Sequence, residues 1–200
     1  MSEISKRGGT FTRDRAARGD ETLRFGEALE LELQLVNAEL FSPYGDLVQA
    51  SDPHPLSVNA GTALRHDIAV FGRDERPGSR LVTSVFETLP QALPLVIGML
   101  EQHPFSRQAI VEMRGLDFIL AVCVPKANGQ PDLASLRAFL FPHGFGVIYR
   151  KGVWHTPIIG IAKVGQFFVQ SWQDGTAADC EEASIPPHII RPSPLAKTTA

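Results

Sequence analysis

Residues 139–159 read FLFPHGFGVIYRKGVWHTPII, in which two apolar, strand-like segments flank a short aromatic and basic stretch. Gly146 and Gly152 mark points where the backbone turns tightly or passes close to another group. If Gly152 closes a turn, the side chains of Tyr149 and His155 project into the same cavity. This stretch therefore predicts two strands around a turn, with two proton-transferring side chains near each other.

The rest of the chain favours short strands. In residues 29–35 leucines alternate with Glu and Gln, a period of two that is typical of a strand with one buried face. Further strands are predicted at 47–50, 67–71, 81–86, 108–113, 117–124, 158–164 and 166–172. The segment 90–101 fits either a strand or a helix, because its apolar run LVIGML has no decisive period.

A helix is predicted at residues 132–141. Asp132 can cap its first turn, Pro131 precedes it, and three leucines within the segment fall on one helical stripe. Roughly ten short strands with turn signals between them, and one or two short helices, predict an all-β barrel or sandwich.

Length and composition limit the class of protein. Two hundred residues fit a single domain, and a net charge of −3 gives no basic face for nucleic acid. No apolar run approaches the roughly 20 residues of a membrane helix, and residues 1–24 contain no signal-peptide core. Cys123 and Cys180 occupy different settings, so a disulfide framework is not expected. These features predict a cytoplasmic protein.

Three regions are predicted along the chain. Residues 1–24 are polar and rich in Arg and Gly, which is typical of a disordered leader. Residues 25–188 contain the predicted strands and form the domain. Residues 189–200 are expected to be a flexible tail, since the end of the chain, residues 185–200, carries four prolines.

Several short sequence motifs resemble those of known families. The Lys-Gly-x-x-His pattern of residues 151–155 is similar to the second motif of cupin barrels. Beyond it, the order of short motifs resembles the ureidoglycolate lyase family, once called ureidoglycolate hydrolases, over about residues 33–187. The motifs are FSPYGD (41–46), NAGT (59–62), RHD (65–67), EQHP (101–104), QA (108–109), PDLASLRAF (131–139), GVIY (146–149), VWH (153–155) and DCEE (179–182).

The resemblance implies a fold and an activity. The fold is a cupin-like β-barrel, a double-stranded β-helix, usually present as a homodimer. The activity is that of a carbon–nitrogen (amidine-type) lyase, which cleaves ureidoglycolate to glyoxylate and urea late in allantoin (purine) degradation. The expected partner is therefore a small-molecule carboxylate substrate.

Four positions depart from the family pattern. Its central signature reads approximately Val-Asn-Tyr-His-x-x-x-Trp-His-His-Pro, whereas this chain has Ile148, Arg150 and Thr156 at three of those places. Glu87 stands where the family commonly has a basic residue. These changes leave two alternatives open. One is a diverged cupin acting on another small hydroxy or keto acid, with or without the help of a metal, and the other is a non-catalytic ligand-binding barrel.

The chemistry needs a base for the substrate hydroxyl, a donor for the departing urea nitrogen and donors for the carboxylate. His155 is the candidate acid–base group because its ordinary pKa lies near 6.5. Tyr149 can donate to the leaving nitrogen, and Arg150 can hold a carboxylate through two parallel hydrogen bonds. Three polar residues in or beside strands can form hydrogen bonds with the ureido group: Asn59, His66 and Gln108.

No metal and no other cofactor is predicted. Cupin metal sites normally use two histidines one residue apart and a nearby glutamate, and none of the six histidines here forms such a pair. Glu112, His66 and His155 could still meet in space, which the sequence leaves open.

Overall fold

A computed structural model describes residues 28–192, whose regular secondary structure is almost entirely β-strand. The strands are β1 (Leu29–Leu31), β2 (Leu33–Leu35), β3 (Gly45–Val48), β4 (Leu56–Val58), β5 (Ala63–Arg65), β6 (Arg80–Thr88), β7 (Leu95–Gln102), β8 (Gln108–Glu112), β9 (Phe118–Cys123), β10 (Arg137–Phe141), β11 (Gly146–Tyr149), β12 (Trp154–His155), β13 (Ile159–Gly160), β14 (Gly165–Gln173) and β15 (Glu181–Ile190). A four-residue helix α1 (Ala38–Phe41) and three short 3₁₀ turns complete the described elements.

The strands form two main sheets and a small hairpin. The large sheet has the order β1-β15-β7-β12-β9-β10-β2, with β13 also paired to β9. The second sheet has the order β3-β11-β8-β14-β6, and β4 pairs with β5.

The N-terminal strands close the large sheet on itself. β1 pairs in parallel with β15 at one edge, and β2 pairs in parallel with β10 at the other. Only Glu32 separates β1 from β2, so one short segment joins both edges. The closure removes the free edges that an open sheet would expose.

Two hydrophobic cores result, and β9 is shared between them. Phe118, Leu120 and Val122 face the second sheet and belong to the inter-sheet core. The alternate residues, including Ile119 and Ala121, belong to the core enclosed by the closed sheet. Because every residue of β9 is buried, the strand reads as a continuous apolar run rather than an alternating one.

The predicted all-β, cupin-like barrel is confirmed, but the predicted helix at 132–141 is wrong. Asp132 caps only a single 3₁₀ turn, Leu133–Ser135, by accepting a hydrogen bond from the Ala134 N–H. The chain then becomes extended at Leu136 and continues as β10, which lies between β9 and β2. Of the three leucines in the stripe, only Leu140 lies in β10; Leu133 lies in the 3₁₀ turn and Leu136 follows it, and all three pack against the same core.

Other boundaries differ in smaller ways. Residues 67–71, predicted as a strand, contain none, and the ambiguous segment 90–101 contains β7. Strand β15 runs to the buried Ile190, two residues past the domain boundary placed at 188. The leader and residues 193–200 lie outside the described residues. Within the described range, no helix is long and apolar enough to cross a membrane.

Candidate active site

Three neighbouring strands place a row of polar side chains on one face of the large sheet. Glu101 on β7 lies directly opposite Glu182 on β15 and directly opposite His155 on β12. Side chains at directly opposed positions project from the same face of a sheet. The row brings Nε2 of His155 to 3.7 Å from Oε1 of Glu101.

His155 is a neutral imidazole whose free nitrogen faces this row. Its side chain is buried, with 1% of the residue exposed, and Nδ1 lies 2.9 Å from the Val153 carbonyl oxygen. A carbonyl can only accept, so Nδ1 carries the proton and Nε2 keeps its lone pair. Burial, and secondarily the neighbouring His103, lowers the pKa of His155 to about 3. Among the described residues, Nε2 has no hydrogen-bond partner.

Tyr149 lies against His155 and keeps its proton. The two rings stack with centroids 4.2 Å apart and an interplanar angle of 23°. Burial, helped by the charge of Glu101, raises the pKa of Tyr149 well above its ordinary value. Its buried hydroxyl has no hydrogen-bond partner within residues 28–192. A phenol ring that keeps its proton therefore packs against the imidazole of His155.

His103 and Gln108 form a second hydrogen-bonded pair next to His155. The Nδ1 atom of His103 donates to the carbonyl oxygen of Asp179 at 2.7 Å, and the Gln108 amide contacts Nε2 of His103 at 2.8 Å. The rings of His103 and His155 lie 5.4 Å apart between centroids. Burial lowers the pKa of His103, which favours the neutral ring that this pattern of bonds requires.

Glu101, His103, Gln108 and His155 line a cavity with two adjoining lobes. The His155 lobe, of about 360 Å³, is walled by Phe86, Glu87, Thr88, Met99, Glu101, Gln108, Ile110, His155, Thr156, Pro157, Ile158, Val169 and Glu182. The His103 lobe, of about 260 Å³, shares Phe86, Glu101, Gln108 and Val169 and adds Ser84, His103, Ser171, Gln173, Asp179 and Cys180. A mostly apolar wall with a few convergent polar groups is typical of a small-molecule site.

The residues predicted from the sequence fall into two groups. His155 and Gln108 line the cavity, and Tyr149 stands directly behind His155. The other three lie off the lining of both lobes. Arg150 is exposed at the turn and Asn59 is exposed in a 3₁₀ turn, while His66 accepts a hydrogen bond from the Asp52 N–H.

A metal ion could be held by a trio that the sequence did not suggest. Ligand atoms of Glu101, His103 and His155 lie within 4.8 Å of one another. Two imidazoles and a carboxylate suit several divalent transition metals, and the unpartnered Nε2 of His155 fits such a role. His103 would have to release Gln108 to bind an ion through Nε2. Glu112 instead accepts hydrogen bonds from the N–H groups of a turn.

The signal for this trio is faint in the sequence. Glu101 and His103 are two residues apart, a spacing that puts side chains on the same face of an extended chain. Nothing in the sequence links them to His155, because that link is the register between β7 and β12.

Comparison with known proteins gives one consistent result. The sequence profile of the family described as ureidoglycolate lyase matches residues 28–191. A ureidoglycolate lyase of Salmonella typhimurium (strain LT2) is 33% identical over 163 residues, which cover 81% of this chain and 98% of the relative. Ureidoglycolate lyases of Burkholderia mallei (strain NCTC 10229) and Burkholderia cepacia are each 32% identical, over 78% of this chain and 89% or 86% of theirs.

Proposed function

The chain belongs to the ureidoglycolate lyase family, and we propose that it cleaves ureidoglycolate to glyoxylate and urea. The observation that carries the proposal is His155, a neutral imidazole with a free nitrogen that faces a cavity of suitable size. A group of this kind is the base that the reaction needs.

The proposed reaction is an elimination from a carbinolamide. The Nε2 atom of His155 removes the proton from the substrate hydroxyl, the oxygen forms the aldehyde double bond of glyoxylate, and the bond from carbon to the urea nitrogen breaks. The protonated ring then returns its proton to the departing nitrogen, so that urea leaves neutral. His155 acts first as the base and then as the acid, and no proton is gained or lost overall.

In this proposal Gln108 orients the substrate, whereas Tyr149, which stacks on His155 and lies off the lining of both lobes, holds the His155 ring in place. The raised pKa of Tyr149 keeps its hydroxyl protonated, so no negative charge forms beside the imidazole. The Gln108 amide, at the junction of both lobes, can read the ureido group with one donor and one acceptor. Asn59, His66 and Arg150 take no part, because they lie off the lining.

A metal-assisted form of the same reaction is the second candidate. The proximity of Glu101, His103 and His155 favours it. A divalent ion held there would supply a Lewis acid for the hydroxyl or carboxylate oxygen of the substrate. Exhaustive chelation separates the two forms. Activity that survives, with no metal in the protein, supports His155 as the base; activity lost on chelation and restored by one ion supports the metal.

The reaction itself is tested by its products. Purified protein given ureidoglycolate should release urea and glyoxylate in equal amounts. Ammonia in place of urea would mean hydrolysis of the ureido group rather than elimination. Binding of the substrate without any product would support the ligand-binding barrel.

Three finer statements complete the proposal: that the protein works in allantoin degradation, in the cytoplasm and as a homodimer. Both cysteines are free thiols, which suits a reducing compartment. Strand β6 ends the second sheet and exposes Leu81 and Val85, with Leu89 just beyond it, an apolar edge that a second copy could cover. Sedimentation at micromolar concentration should show twice the chain mass.

A further inference from the structure

Arg76 binds three carboxylates next to the cavity. It lies in the strandless segment between β5 and β6, and its guanidinium group is 2.6 Å from Asp74, 2.6 Å from Asp179 and 3.1 Å from Asp174. The same group lies 4.3 Å from the centre of the Phe105 ring. Its side chain is only 16% exposed, so these charged contacts are largely shielded from water. Through these ion pairs, one arginine links the 66–79 segment to the loop that precedes β15.

Asp179 connects Arg76 to His103, a histidine of the cavity. Its carboxylate accepts hydrogen bonds from Arg76 and from the N–H groups of Asp174 and Gly175, at 2.6, 3.0 and 2.8 Å. Its backbone carbonyl accepts the proton of His103 Nδ1 at 2.7 Å. A residue fixed through its side chain thus presents its backbone oxygen to a histidine of the cavity.

The carbonyl of Asp179 determines which nitrogen of His103 carries the proton. With the proton on Nδ1, Nε2 holds a lone pair, and this is the atom that the Gln108 amide contacts. If the carbonyl moved away, the ring could take the other tautomer; Nε2 would then be a donor, and the Gln108 amide would have to rotate to present its oxygen. The contact between His103 and Gln108 consequently depends on where Asp179 is held.

We propose that Arg76 is a positioning residue for the active site. By clamping Asp179, it holds His103 in the Nδ1–H tautomer and so fixes the Nε2 lone pair and the Gln108 amide at the junction of the two lobes. Arg76 touches neither lobe itself. Its kinetic consequence rests on the proposed lyase function, whereas its effect on His103 does not.

The tautomer is measured directly by nitrogen NMR of the histidine rings in the full-length protein. Wild type should show the His103 proton on Nδ1. In Arg76→Lys, which keeps one charge but cannot bridge three carboxylates, and in Arg76→Met, His103 should show a mixture of tautomers or the opposite one. Arg65→Met is the matched control, because Arg65 pairs with Asp67 on the surface with 56% of its side chain exposed. It should leave His103 unchanged.

Turnover gives the second readout. In the Arg76 variants kcat should fall roughly ten- to a hundredfold, the range expected when a reacting group is slightly misplaced, with a smaller change in KM. If wild type releases no urea, the proposed function fails and the NMR result still decides the role of Arg76. A wild-type His103 tautomer in Arg76→Lys overturns the proposal, even if that variant melts earlier, since a purely structural anchor gives that result. If Arg76→Met fails to fold, Arg76→Lys alone decides.

Discussion

Burial changes the chemistry of His155 more than any neighbouring charge does. An imidazole in water is half protonated near its ordinary pKa of 6.5, whereas in the folded chain burial lowers the pKa of His155 to about 3. The Nε2 atom is therefore unprotonated across the whole neutral range, as a base must be, while the same burial makes it a weaker base than a histidine in water.

The pH dependence of stability follows from this shift. The unfolded chain binds a proton at this histidine below about pH 6.5, and the folded chain does not until about pH 3. Stability should therefore fall as the pH falls from about 6.5 towards 3, by up to about 1.4 kcal/mol per pH unit from this group. Denaturant titrations of wild type and His155→Asn at pH 6, 5 and 4 measure the difference. A variant as acid-sensitive as wild type would contradict the account.

Tyr149→Phe separates catalysis from packing. Because the Tyr149 hydroxyl is buried without a partner among the described residues, its removal should leave stability unchanged or raise it by up to about 1 kcal/mol. Turnover should fall roughly tenfold or more if the hydroxyl helps to hold the His155 ring in its reactive position.

Tyr44→Phe is the matched control for this test. The Tyr44 hydroxyl donates to the Ser135 carbonyl at 2.6 Å, so this change should cost about 0.5–1.5 kcal/mol of stability and leave turnover intact. The two variants should thus behave oppositely. A destabilised Tyr149→Phe protein with full turnover would mean that Tyr149 has only a structural role.

Part of the site could be predicted from residue type alone. His155, Tyr149 and Gln108 are suitable for this chemistry and flank predicted turns and strands, and the fold places them together. Glu101 was not singled out, because its relation to His155 exists only in the pairing of β7 with β12. Arg150 was chosen for its chemistry, but the turn leaves it exposed.

Among the secondary-structure elements, the pattern of burial decided which strands could be recognised from the sequence. A strand with one buried face, such as β14, alternates between buried and partly exposed residues and is recognisable in the sequence. Strand β10 has both faces covered, so its apolar residues have no period of two and were assigned to a helix. Strand β15 was missed because prolines 186 and 187 suggest a mobile tail; they lie where the pairing with β7 shifts register, between Ser184 and His188.

Gly45 is required for the pairing of β3 with β11. A Cβ added there would lie 2.2 Å from the carbonyl oxygen of Ile148, which cannot move without breaking the strand pairing. Gly45→Ala should therefore cost about 1–3 kcal/mol in chemical denaturation. Gly98→Ala, in β7, is the control, because its nearest neighbour would be 4.0 Å away. Equal stability of the two variants would show that β3 can shift to accept the methyl group.

For the whole molecule, closure by the N-terminal strands is the main structural requirement. Removing residues 1–27 should leave a cooperative transition near that of the full chain. Removing residues 1–35 deletes β1 and β2, opens both edges of the large sheet and uncovers the core around the buried Leu33. That truncation should lose at least about 3 kcal/mol, measured by thermal and urea melts. An equally stable chain lacking residues 1–35 would show that the closure is dispensable.

The most direct test of the account is the release of urea and glyoxylate by wild type and by His155→Asn, compared at equal concentrations of folded protein. Wild type should form both products in equal amounts, and the variant should lose about a hundred- to ten-thousandfold in turnover, the usual contribution of an acid–base group. Loss of the Nδ1 hydrogen bond to Val153 should lower stability by about 1–3 kcal/mol, so melts must establish the folded fraction. Wild-type turnover by folded His155→Asn would contradict the claim that this histidine carries the chemistry.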